Sequence, residues 1–185
     1  MESWEKDGGV RFLKKIGLRS GQRVLDFGCR VGHYTIPAAK AVGEEGIVYA
    51  LDKESDALNE LNRKVIVHDL TNVKVTKTSG QLKLPLESGA IDVALCYDVL
   101  HYFMKDERTK LYQELFRILN KNGLLSVYPK HTLEDNPSKE LQYLRSYDIR
   151  REIQNAGFQF NRRHCGLLSH DDSLNQGCVL NFSKC

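Results

Sequence analysis

Four residues open the question of chemistry in this chain: Asp26, Gly28, Gly32 and Asp52. The stretch Val24-Leu25-Asp26-Phe27-Gly28-Cys29-Arg30-Val31-Gly32-His33-Tyr34 reads as an apolar strand that ends in an acid and runs into a glycine-bearing turn opening a helix. Glycine permits backbone angles and close approaches that a side chain would block, and a helix start presents unpaired N–H groups with a partial positive charge. That is the geometry of a nucleotide-cofactor site. Asp52 follows twenty-four residues after Gly28, at the end of a second apolar run, where an acid can accept hydrogen bonds from both hydroxyls of a ribose. The simpler alternative for Asp52 is a surface acid capping the next helix.

The elements that must position these residues alternate between strand and helix signals, which implies a parallel sheet with helices on both faces. An N-terminal helix is expected to end near Leu18, followed by strands over 23–27, 47–52, 73–76, 91–96 and 124–128. Helices are expected over 33–42 and 55–64, the second capped by Ser55. Leu111, Leu115, Ile118 and Leu119 mark the inner face of a helix that Asn122-Gly123 should terminate. Residues 79–89 and 131–139 read as loops and 147–155 as a helix. Two last strands fall at 158–163 and 179–182, with Cys165 to Gly177 as a loose turn, long for a simple hairpin.

At 185 residues, with 41% hydrophobic and 28% charged residues and four prolines, the chain has the balance of one globular domain, read here as spanning 1–185. The net charge of +3 is spread out, so Arg150-Arg151 and Arg162-Arg163-His164 read as solvated surface and nucleic acid is not expected as a partner. No apolar run is long enough to span a membrane, and the N-terminus lacks a basic start followed by an apolar core. A cytoplasmic location is therefore expected. Five cysteines (Cys29, Cys96, Cys165, Cys178, Cys185) at wide, irregular gaps signal neither a disulfide framework nor a metal site, and free thiols are the expectation.

Glycine spacing separates the cofactor classes that use this plan. Counting G-x-G-x-x-G from Gly28 puts Arg30 and His33 where glycines are needed, which disfavours a nicotinamide-dependent oxidoreductase. Asp/Glu-x-Gly-x-Gly-x-Gly fails only at Arg30. With this turn, Val48-Tyr49-Ala50-Leu51-Asp52, Leu84-Pro85-Leu86, Gly89-Ala90-Ile91-Asp92-Val93-Ala94, Asp98-Val99-Leu100-His101-Tyr102 and Leu115 to Leu125, the chain resembles the class I S-adenosylmethionine-dependent methyltransferases. It is most similar to the small type with a ubiquinone/menaquinone-methyltransferase-like core, over about Phe12 to Phe182.

The resemblance implies a Rossmann-like, seven-stranded, mostly parallel sheet with an antiparallel last strand, and S-adenosyl-L-methionine as cofactor with S-adenosyl-L-homocysteine as product. It implies that Asp26 approaches the methionyl ammonium, that Gly28 and Gly32 pass beneath the cofactor, and that Asp52 holds the ribose. Lys53 would lie beside the adenine, and Cys96 and Tyr97 would border the methionine part. Two positions depart from the pattern. Arg30 occupies the middle glycine, and if it crowds the pocket, Arg30→Gly should tighten cofactor binding. Gly80 stands where many relatives place an acid for the adenine amino group, leaving backbone groups or Gln81 to serve.

Methyl transfer from a sulfonium is an in-line displacement in which positioning supplies most of the catalysis. A base is needed only when the acceptor carries a proton at neutral pH. Asp98, His101 and Tyr102 are the expected catalytic group, with Lys130 and His131 after the fifth strand as further candidates; helix-start packing and a solvated loop are the respective alternatives. Asn/Asp-Pro-Pro-Tyr is absent after the fourth strand, which moves small-molecule acceptors ahead of exocyclic amines. Thiolates and the His164-Cys165 pair could hold trivalent arsenic, an acceptor of some relatives, but ordinary thiols are favoured. The acceptor would be chosen by residues 1–18, a candidate lid, and 128–147. Trp4, Phe12, Tyr143 and Tyr147 are its apolar candidates, or core. The expected function is methyl transfer to a small molecule or, second to that, a protein side chain. The alternatives are a non-catalytic, cofactor-binding or regulatory protein on the same fold, and an RNA methyltransferase, which the modest charge disfavours.

Overall fold

The computed structural model describes residues 1–185. A π-helical turn (Trp4–Gly8) leads into α1 (Gly9–Ile16), and the chain alternates through β1 (Arg23–Phe27), α2 (Thr35–Val42), β2 (Ile47–Asp52), α3 (Ser55–Val67) and β3 (Val73–Lys77). Then come β4 (Ile91–Tyr97), a 3₁₀ turn (Leu100–Tyr102), α4 (Lys105–Ile118), β5 (Leu119–Tyr128), a second 3₁₀ turn (Lys139–Leu141), α5 (Ser146–Asn155), β6 (Phe158–His170) and β7 (Ser173–Lys184). The strand order is β3-β2-β1-β4-β5-β7-β6. β1 runs parallel to β2, β2 to β3 and β4 to β5, while β7 is inserted antiparallel beside β5, the arrangement expected from the sequence. The chain forms two compact units, Met1–Gly80 with Leu167–Asn175, and Gln81–Gly166 with Gln176–Cys185.

In the first unit, Ile36 of α2, Ala50 of β2 and Leu58 and Leu61 of α3 enclose Cys29, with Val65, Leu70, Val73 and Val75 packed against them. Leu58 and Leu61 are one helical turn apart, so a single face of α3 supplies this cluster. Ser55 does not cap α3. It is the first helical residue, its hydroxyl accepts a 2.6 Å bond from Lys77 Nζ, and Glu54 occupies the cap position. The N-terminal segment is docked through its core: Trp4 and Phe12 are buried, and Trp4 Nε1 donates 2.8 Å to the His33 carbonyl. Buried Glu5 takes 2.6 and 2.7 Å contacts from His33 Nδ1 and Lys64 Nζ. Burial alone would raise its pKa, but these two partners overcome it and hold the carboxyl at about 2.

In the second unit, β4 is apolar and buried except for Asp92, and α4 turns Leu111, Tyr112, Leu115 and Ile118 inward. Asn122-Gly123 does not end α4, as the sequence suggested. The chain is already extended at Leu119, and Asn120 to Gly123 form an irregularity within β5, where Ile91 pairs with Leu119 but Val93 with Leu124. Asn122 takes a positive φ of 65°, and a Cβ at Gly123 would come within 2.9 Å of the Asn120 carbonyl, so these turn-formers serve a bulge. Arg108, 2% exposed, forks onto both oxygens of Glu152 at 2.9 and 2.7 Å and donates to the Phe103 carbonyl. Arg117 bridges Glu114 and the Leu86 carbonyl, tying down the loop before β4. Tyr143 and Tyr147 are exposed.

The expected loose turn from Cys165 to Gly177 is instead continuous strand. β6 and β7 extend to His170 and Ser173, leaving Asp171 and Asp172 between them. The polar residues that suggested a loop alternate along a largely exposed ladder. The free-thiol expectation is corrected in the same place, since Cys165 and Cys178 form a disulfide, with Cα atoms 4.0 Å apart. The two cysteines lie on β6 and β7, which are neighbours in the sheet. Cys29, Cys96 and Cys185 are free.

Candidate functional site

In the first unit the turn after β1 brings a buried acid, two glycines and a second acid together. Asp26, 2% exposed, accepts a 2.6 Å hydrogen bond from the Thr35 hydroxyl at the start of α2. Burial pushes its pKa up to about 7; the Thr35 bond pulls down and the nearby charge of Asp52 pushes up, both by less. Gly28 and Gly32 both have positive φ, 78° and 86°, and a Cβ on Gly32 would lie 2.4 Å from Leu61 Cδ1. Glycine is thus required at 32 by backbone angle and by packing.

Asp52 is buried, so it is no surface acid. Its Oδ2 accepts the Arg30 N–H at 2.8 Å and its Oδ1 the Glu54 N–H at 2.9 Å. A carboxylate offers about four lone-pair positions, so two main-chain bonds fix its orientation and leave capacity for hydroxyls. Lys53 beside it is exposed, with Glu54 at 3.9 Å. Arg30 has φ 45°, and its guanidinium reaches Asp171 Oδ1 at 2.6 Å. Gly80 has φ 83° and open space around its missing Cβ. Cys29 is buried, and burial with the charges of Asp26 and Asp52 pushes its thiol far up, which leaves it inert as a nucleophile or soft-metal ligand.

In the second unit, the end of β4 carries Cys96 and Tyr97, both buried. Ser126 donates to Asn181 Oδ1 at 2.8 Å, so the 2.7 Å contact between Tyr97 and Ser126 has the phenol as donor. Asp98 follows at φ 54° and His131, beyond β5, at φ 69°. Non-glycine residues kept at such angles concentrate at functional positions. Asp98 Oδ1 lies 3.6 Å from His101 Nδ1 and 3.5 Å from His131 Nε2, and the two imidazole rings are 4.4 Å apart. His101 is 4% exposed, whereas Tyr102 is 58% exposed, stacked on His101 and under the ammonium of Lys139. Tyr102 is therefore the outermost of the three expected catalytic residues. Lys130 is buried against Asp135, so the solvated-loop alternative fails for it. Gln81 is exposed.

A cavity of about 260 Å³ opens beside the end of β5, lined by Tyr128, Pro129, Thr132, Glu134, Asp135 and the disulfide among others. Glu134 accepts two bonds from Ser146 at the start of α5, which lower its pKa.

Sequence reasoning missed Thr35, the partner of Asp26, although a hydroxyl residue at the start of the first crossover helix was a legible signal. It also missed the tip of the β6–β7 hairpin. His33 Nε2 lies 3.2 Å from Asp172, and Tyr34 donates 2.9 Å to the Ser169 carbonyl. No local pattern announces partners more than a hundred positions away.

A family model described as "Methyltransferase domain" matches residues 24–123. A curated demethylmenaquinone methyltransferase of Geobacillus stearothermophilus is 33% identical over 89 residues, 48% of this chain and 36% of that protein. The chain thus spans little more than a third of that relative's length. Among solved structures, a SAM dependent methyltransferase from Aquifex aeolicus superposes with a TM-score of 0.78 at 24% identity, over 99% of this chain and 93% of that one. Magnesium protoporphyrin IX methyltransferase from Synechocystis PCC 6803, solved with bound SAH, gives a TM-score of 0.69 at 25% identity, over 97% and 81% of the two chains. No helix is long and apolar enough to cross a membrane.

Proposed function

Because the chain belongs to the methyltransferase-domain family, we propose that it is an S-adenosylmethionine-dependent methyltransferase, one methyltransferase-like domain acting on a small-molecule acceptor in the cytoplasm. The observation that carries the reading is the turn after β1, where a buried carboxyl, two positive-φ glycines and an oriented second carboxylate stand together. These groups suit the cofactor. A buried acid with a raised pKa gains from a cationic ammonium, Asp52 has lone pairs left for a ribose diol, and glycines admit close approach.

When bound, S-adenosylmethionine supplies a methyl group on a cationic sulfonium. Asp26 would hold the ammonium, Asp52 the ribose hydroxyls, Lys53 and Gln81 the adenine end, and Cys96 and Tyr97 the border of the methionine part. Asp98 Oδ1, 3.6 Å from His101 Nδ1 and 3.5 Å from His131 Nε2, would favour a proton on the nitrogen that faces it, and His101 Nε2 would then take the proton from the acceptor. Tyr102 covers that imidazole from outside.

A small acceptor is supported by the compounds named for the relatives, demethylmenaquinone and magnesium protoporphyrin IX. The test is calorimetry with S-adenosylmethionine and S-adenosylhomocysteine, followed by acceptor screening with His101→Gln as control. Binding of both, with methyl transfer reduced about a hundredfold or more in the variant, supports the reading. No binding of either sinks it, and binding without transfer to any acceptor returns the non-catalytic alternative.

A further inference from the structure

Arg30 stands where the family pattern places glycine, and it keeps a glycine-like φ of 45°. Its side chain and its main chain do different things. The guanidinium grips Asp171 Oδ1 at 2.6 Å, in the tip of the β6–β7 hairpin, while the backbone N–H donates 2.8 Å to Asp52 Oδ2. Two neighbours in the same turn hold the same tip: His33 faces Asp172 at 3.2 Å, and the Tyr34 hydroxyl donates a buried 2.9 Å bond to the Ser169 carbonyl. All of these residues lie in the first unit. Asp171, like Arg30, has a positive φ, 49°, so both members of the pair are presented from backbone that ordinary residues avoid.

We propose that Arg30 is a positioning residue for the cofactor: by gripping Asp171 it fixes the turn after β1 to the hairpin tip and so holds Asp52 in the orientation its own N–H dictates. The inference rests on the reading of Asp52 as the ribose ligand. It reverses the simplest expectation for this position. The guanidinium is engaged by Asp171 at the hairpin tip, so its removal loosens a turn that His33 and Tyr34 still hold, and cofactor affinity falls.

The test is a cycle of Arg30→Gly, Asp171→Gly and the double variant, with Arg30→Lys as the conservative rescue. Glycine suits positive φ at both sites, so neither change adds strain. The pair is largely exposed, and each single variant is expected to raise the Kd for S-adenosylhomocysteine about two- to fivefold. The double variant should be no weaker than either single one, and Arg30→Lys should recover most of the affinity. In the ligand-free protein, amide exchange should rise in both segments, 28–34 and 169–173, whichever partner is removed. Tighter binding by Arg30→Gly, additive effects, or exchange confined to the mutated segment overturns the proposal while leaving the methyltransferase reading intact. A wild-type protein that binds neither ligand overturns both.

Discussion

The Thr35 hydroxyl donates to the Asp26 carboxyl at 2.6 Å, and both side chains are buried. The bond ties the first crossover helix to the end of β1 and draws the Asp26 pKa down, but burial outweighs it and pushes the carboxyl up from 3.8 to about 7. A folded-state pKa above the unfolded one means that the folded protein holds the extra proton between these values. The associated stability is full in acid and lost as pH rises through 7. Asp26→Asn is therefore expected to match the wild type near pH 4 and exceed it by about 4 kcal/mol at pH 8, read from urea midpoints. In the same pH window, binding an ammonium beside Asp26 should release up to one proton near pH 6 and almost none at pH 9. Calorimetry in buffers of different ionisation heat measures this, and a flat profile would show Asp26 ionised throughout.

Arg108 and Glu152 form a two-pronged ion pair that α4 and α5 share, with the arginine 2% exposed. Removing one partner strands a buried charge. Arg108→Met should cost about 3 kcal/mol in urea unfolding, and adding Glu152→Leu should return much of that loss. Two equally destabilising and additive changes would contradict a coupled pair.

The disulfide makes a simple count testable. Under non-reducing denaturation the protein should titrate three thiols, Cys29, Cys96 and Cys185, and five after reduction. Reduction should lower stability by about 2–3 kcal/mol, the loop-closure effect for a link of 13 residues. Five thiols in the unreduced, unfolded protein would remove the cross-link.

What the sequence determined by itself was local. Strand–helix alternation up to β5 followed from hydrophobic periodicity, and the acid–glycine turn from the backbone angles its residues permit, because each is written in a few neighbouring positions. Even local reading failed where one motif serves two purposes. Asn122-Gly123 looks like a helix stop and is a bulge within β5. The tertiary structure alone decided the rest: Cys165 opposite Cys178, Glu5 between His33 and Lys64, and Arg30 gripping Asp171. Those pairings depend on how strands are ordered and how far a hairpin extends. Arg30 reads as a lost glycine along the chain and becomes a tether only when folding brings a carboxylate from 141 positions away.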